Sequence, residues 1–174
     1  MTIRIVVLVT VLAALLCTTV PGLKAAAPPP APYPAVEVDR FVAQRGVSFP
    51  SDYQTALADD IAREISLAFP TVIIVRSGDP APNVHAVLRI AGVVTRFKPG
   101  NRAKRSMIGF GAGATLVRAQ VWFVDGTTGQ VLLNREVQGI TWTGVGGGDS
   151  QAAGESLAKK LAKFCNSAHL VESN

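Results

Sequence analysis

Residues 114–141 read ATLVRAQVWFVDGTTGQVLLNREVQGIT. Val117, Ala119, Val121 and Phe123 alternate with Arg118, Gln120 and Trp122, the period-two pattern of a strand with one apolar and one polar side. Asp125-Gly126-Thr127-Thr128-Gly129 then supplies the glycines and short polar side chains of a hairpin turn. Beyond it the alternation resumes, with Val131, Leu133 and Val137 set against Asn134, Glu136 and Gln138. Two antiparallel strands are expected, about Ala114 to Val124 and Val131 to Thr141. One face packs on a core and the other meets water or a partner.

The flanking segments supply the remaining elements. Val36, Val38 and Phe41 alternate with Glu37 and Asp39 as in a half-buried strand starting near Ala35. Leu57, Ile61, Ile65 and Phe69 recur at four-residue steps, widened by Ala58, Ala62 and Ala68, which predicts an amphipathic helix ended by Pro70. Ser51-Asp52-Tyr53-Gln54, with Pro50 just outside, has the form of a capping box. Thr71 to Val75 is rich in β-branched residues and reads as a short buried strand; His85 to Phe97 reads as a longer one. Gly146-Gly147-Gly148 leads to Asp149 or Ser150 as the N-cap of a closing helix. That helix carries Ala153, Leu157, Leu161, Phe164 and Cys165 on one side, with Lys159, Lys160 and Lys163 largely opposite. Each helix has a single apolar stripe to bury. The order β-α-β-β-β-β-α therefore predicts an α+β two-layer sandwich: a mixed, mostly antiparallel five-stranded sheet with both helices on one face.

Met1 to about Val20 has the pattern of a secretory signal, with Arg4 as its positive end and an apolar run from Ile5 to Leu16 broken only by Thr10. Pro21-Gly22 ends that run before the roughly 18–20 residues needed to cross a bilayer. The expected organisation is a signal over residues 1–25, a Pro/Ala-rich linker over 26–34, one domain over 35–168 and a tail over 169–174. Five prolines between Ala25 and Pro34 make the linker stiff and extended. Leu16 stands directly before Cys17, where a lipid-modification signal requires a small residue, so lipidation of Cys17 is disfavoured. With Cys17 gone, Cys165 is the single thiol, which excludes an intramolecular disulfide; its helical position marks it as a small buried hydrophobe.

The 174 residues carry a net charge of +5, with 48% hydrophobic and 6% aromatic residues. Loss of residues 1–25 removes Arg4 and Lys24 and no acid, leaving 15 basic and 12 acidic residues, a net charge of +3. That value, with few aromatics for base stacking, argues against nucleic acid as a partner. His85 and His169 have no ligand-spaced companion, and no Gly-x-Ser-x-Gly elbow or Cys pair occurs, so neither metal nor catalytic residues are expected, and no cofactor. Asp59-Asp60 reads as part of a solvated helix face. The segment KPGNRAKRSMIGFGAG, residues 98–113, is the most suggestive. Counting back to Arg96 it gathers Arg96, Lys98, Arg102, Lys104 and Arg105 in the connection between two strands. Such a cluster can hold an anion or keep a sheet edge soluble. Gly109, Gly111 and Gly113 lead into a strand, whereas phosphate-binding glycine loops lead into a helix. Trp122 and Trp142 are candidates for a partner anchor on the open sheet face.

Across residues 84–133 the chain resembles the DUF4410 family, a bacterial exported domain of unknown function. The resemblance rests on Gly100-Asn101-Arg102-Ala103, Arg105, Ile108-Gly109-Phe110-Gly111-Ala112-Gly113, Val124-Asp125 and Thr128-Gly129-Gln130-Val131-Leu132. It implies an exported, often lipoprotein-like, envelope protein and brings no catalytic residues. The expected function is a non-enzymatic binding or scaffold domain. Its partner would be an unidentified envelope protein or an anionic membrane surface, met through Arg96, Lys98, Arg102, Lys104, Arg105 and Trp122. The alternative is a small-molecule, phosphate or nucleotide-binding protein that uses the glycine-rich 109–113 segment.

Overall fold

The structure is a computed structural model that describes residues 32–79, 86–100, 114–141 and 150–172. In chain order the elements are β1 (Ala35–Val38), β2 (Val42–Ala43), α1 (Ser51–Ala68), β3 (Ile73–Arg76), β4 (Val87–Lys98), β5 (Thr115–Asp125), β6 (Val131–Thr141) and α2 (Ser150–Ser167). The sheet runs β3-β1-β4-β5-β6, with β2 beside β4. β1 is parallel to both β3 and β4, and β4, β5 and β6 form an antiparallel meander. This is the two-layer α+β sandwich expected, with one strand more.

The extra strand arises from a break in β1. Val38 lies opposite Ile90 and Val42 opposite Val93, so four steps on one strand match three on β4. Asp39 N–H still donates to the Ile90 carbonyl and Gln44 N–H to the Val94 carbonyl, both at 2.9 Å. The surplus residue is a bulge that turns the fully buried Phe41 ring over Gly92. A Cβ on Gly92 would lie inside that ring.

Val117, Ala119, Val121 and Phe123 of β5 are all buried, as their alternation requires. They meet Leu57, Ile61 and Ile65 of α1 and Leu157, Leu161 and Cys165 of α2 in one continuous core. Burial pushes the Cys165 thiol up to about 12, which keeps it protonated and inert. α2 lies against β6 at Gly139, where a Cβ would overlap the Ala153 carbonyl and come within 2.9 Å of the Leu157 backbone nitrogen. On the outer edge of β6, Lys160 Nζ donates to the Gln138 carbonyl at 2.6 Å and occupies a site that a foreign strand would use.

Several local expectations are corrected. Pro50, not Ser51, is the N-cap of α1, with no side-chain cap bond; Gln54 Nε2 instead donates to the Phe49 carbonyl at 3.1 Å. Ala68 is exposed and does not widen the buried stripe. β3 lies at the sheet edge with Ile73 46% exposed, because its parallel partner β1 covers only one side. Tyr33 and Val171, assigned from sequence to linker and tail, are buried and bridge each other. Tyr33 also donates its hydroxyl to Asp125 Oδ2 at 2.6 Å, which ties the chain's entry to the β5–β6 turn and holds the Asp125 carboxyl below its usual range.

Asp60 is the main departure. It is 3% exposed, at the α1–α2 contact, rather than on a solvated face. Oδ1 accepts from Arg63 at 3.0 Å, whereas Oδ2 has no partner and faces the bare Cα of Gly154. Desolvation raises its pKa; Arg63 opposes this, while Glu155, Glu64 and Asp59 reinforce it. A carboxyl whose folded pKa is raised binds protons more tightly in the fold. Its contribution therefore lowers stability as pH rises from the ordinary carboxylate value through the raised one. We expect Asp60→Asn to remove that part of the pH dependence and to raise the urea midpoint at neutral pH. A parallel displacement of the whole pH–stability curve would contradict this assignment. Gly139→Ala, by contrast, meets backbone and is expected to cost about 2–3 kcal/mol in urea denaturation.

Candidate functional site

The open face of the sheet carries the even-numbered residues of β5: Leu116, Arg118, Gln120, Trp122 and Val124. Cross-strand register sets Arg96 of β4 directly opposite Arg118, and Lys98 opposite Leu116 on the same face. Three cations thus collect where β4 ends and β5 begins. Arg118 is partly offset: its Nε and Nη2 donate to Gln138 Oε1 at 3.1 and 2.7 Å, and Glu136 lies 3.8 Å away. Arg96 and Lys98 are exposed, and no carboxylate among the described residues pairs with either.

Like charges directly opposite across an antiparallel pair destabilise a sheet. The Arg96–Arg118 pairing is therefore a local conflict that folding does not require, which makes it a candidate for function. Trp122 is half-buried on the same face, between Ala91 and Asn134. It lies four residues along β5 from Arg118, roughly 13 Å at strand rise, so the structure does not join it to the cations. Gln120 and Asn134, hydrogen-bonded to each other, occupy the ground between. At the far end Arg89 pairs with Asp39 at 2.9 Å and Glu37 at 3.7 Å, so its charge is more than offset there. Arg102, Lys104, Arg105, Gly109, Gly111, Gly113, Trp142 and His85 lie outside the described residues.

A feature with no sequence signal adjoins the cations. β2 accompanies β4 only at Val93 and Val94, and the chain then veers away through Gly46–Pro50 into α1. The gap is a cleft of about 390 Å³, open on one side and lined by Val47, Ser48, Tyr53, Thr95, Arg96 and Phe97 among others. Tyr53 and Phe97, 5.4 Å apart, form its aromatic wall, and the buried Phe49 backs them, edge-on to Phe97 at 5.0 Å. Only folding reveals it, since residues 46–53 and 95–99 are far apart in the chain. Among the described residues no group of three or more His, Cys, Asp or Glu could hold a metal ion, and no helix is long and apolar enough to cross a membrane.

A mixed sheet with two helices across one face and a basic strand end on the other defines a two-layer α+β domain. Residues 48–145 match the family described as "Domain of unknown function (DUF4410)", and the chain belongs to that family. No curated protein matches the chain. Among solved structures it is similar to the PelC dodecamer from Paraburkholderia phytofirmans. That likeness has 15% identity and a TM-score of 0.56, and covers 84% of this chain and 94% of that one. It is also similar to protein XCC0632 from Xanthomonas campestris, at 12% identity and a TM-score of 0.51, covering 82% and 88%. The hypothetical protein CT253 from Chlamydia trachomatis matches at 11% identity and a TM-score of 0.51, covering 83% and 100%. These likenesses establish the fold.

If Arg96 and Arg118 repel, removing one charge should stabilise the fold. Arg96→Gln is expected to gain about 0.5 kcal/mol at low salt. In about 1 M salt, where the Debye length is about 3 Å, the gain should vanish. A gain that persists unchanged at high salt would mean that packing, not charge, is responsible.

Proposed function

We propose that this chain is an exported, non-enzymatic binding domain of the bacterial envelope that holds an anionic partner at the basic end of its open sheet face. The observation that carries this reading is the placement of Arg96 beside Arg118, with Lys98 next on the same face. Exposed guanidinium and ammonium groups recognise carboxylates and phosphates by charge-assisted hydrogen bonds. A cross-strand arginine pair that costs stability is retained most simply when a ligand supplies the missing countercharge. The signal-like pattern of residues 1–25 supports the compartment.

Arg102, Lys104 and Arg105 follow Lys98 within seven residues of sequence and add three cations to this stretch of chain. Two double variants test the reading: Arg96→Glu with Lys98→Glu, and Arg102→Glu with Arg105→Glu. Both are expected to keep the far-UV circular dichroism of the parent. Both should lose at least tenfold in affinity for immobilised anionic polymer or for vesicles of about 30% anionic lipid. Retention of parental binding by both variants would rule the surface out.

A further inference from the structure

We infer that the cleft beside the last residues of β4 receives an extended peptide segment of a partner protein, added as a strand to the β4 edge and alternating apolar with acidic side chains. The inference rests on the anionic-partner reading above and says what kind of molecule that partner is.

Strand parity leaves main-chain groups of β4 free at this point. Lys160 takes the Gln138 carbonyl, so even-numbered residues of β6 point their main-chain groups outward and odd-numbered ones bond β5. On β5 the odd-numbered residues then face β6 and the even-numbered ones, Arg118 and Leu116, bond Arg96 and Lys98 of β4. Phe97, between those two, turns its N–H and C=O to the other side. There β2 has already ended, so among the described residues no strand covers Phe97. An incoming segment would prolong the line of β2 past Gln44, whose own N–H is the last to bond β4. Pro99 has no N–H to offer and sets the limit of pairing.

A bulge at Thr95 shifts the register of β4 against β5, and beyond it Arg96 and Lys98 face the open side while Phe97 turns toward the aromatic cluster. A strand laid alongside must alternate in the same way. Its residues on the cluster side meet Tyr53, Phe97 and Val47 and gain by being apolar. Those on the open side meet Arg96 and Lys98 and gain by being acidic. Strand addition of this kind takes affinity from main-chain bonds and specificity from alternate side-chain pockets.

The test uses the purified chain and a capped heptapeptide of alternating valine and glutamate, read by titration calorimetry and by amide chemical shifts. We expect saturable binding with the Phe97 amide among the most displaced signals. Methylation of the peptide's central amide nitrogens should weaken binding at least tenfold, and Arg96→Gln about tenfold. A peptide of the same composition with valines and glutamates in separate blocks should bind no better than the methylated one. Equal binding of the methylated or blocked peptide would overturn the inference. If polygalacturonate or anionic vesicles bind through Arg96 and Lys98 while no peptide does, the anionic surface stands and strand addition falls. If none of these probes binds, both fall.

Discussion

Gly139 has no side chain because α2 leaves no room for one: the Ala153 carbonyl and the Leu157 backbone occupy the place of its Cβ. This close approach sets how deep α2 lies on the sheet, and the other contacts follow from it. With α2 seated, Gly154 faces Leu57 and Asp60 of α1, so α1 can lie beside it rather than above it. α1 in turn fixes where its first turn stands. The position of Pro50 and Tyr53 relative to the end of β4 decides that a cleft exists there. A small residue at one strand position thus bears on a surface feature two strands away, since Gly139 lies in register with Val117 and Val117 with Phe97.

The same packing explains the placement of strain. Phe41 over Gly92 lets a bulged edge strand hold on to β4 while an aromatic ring enters the core. Asp60 is an acid held between two helices with one oxygen unpaired, a cost the apolar stripe around it must outweigh. The Arg96–Arg118 pairing is the corresponding cost on the opposite face. The two differ in kind. The acid is enclosed and answers to solvent only through its proton, whereas the arginines are open to a ligand that can neutralise them.

The two ends of the sheet have separate roles. At one end Tyr33, Asp125 and Val171 lock the chain's entry, the hairpin turn and the exit from α2 together. At the other end β4 outlasts β2, cations gather and the aromatic wall is left partly uncovered. Stability is invested at the first end and exposure at the second, as expected for a scaffold that presents one end to a partner.

Periodicity along the chain was sufficient for the layers. Val117 to Phe123 at every second place, and Leu57, Ile61, Ile65 and Phe69 at every fourth, admit few arrangements other than helices over one side of a sheet. Charge order likewise marked Arg96 and Lys98 as candidates, because a run of cations is visible without a fold, although both lie within β4 and not in the connection after it. Tertiary structure alone decided the register that sets Arg96 beside Arg118, the burial of Asp60, the two-residue β2 and the cleft. The physical reason is range. Amphipathic pattern is a property of neighbours within a turn or a strand, whereas register, bulges and clefts depend on contacts between segments tens of residues apart. There a single missing methyl, as at Gly139 or Gly92, determines which backbone may approach.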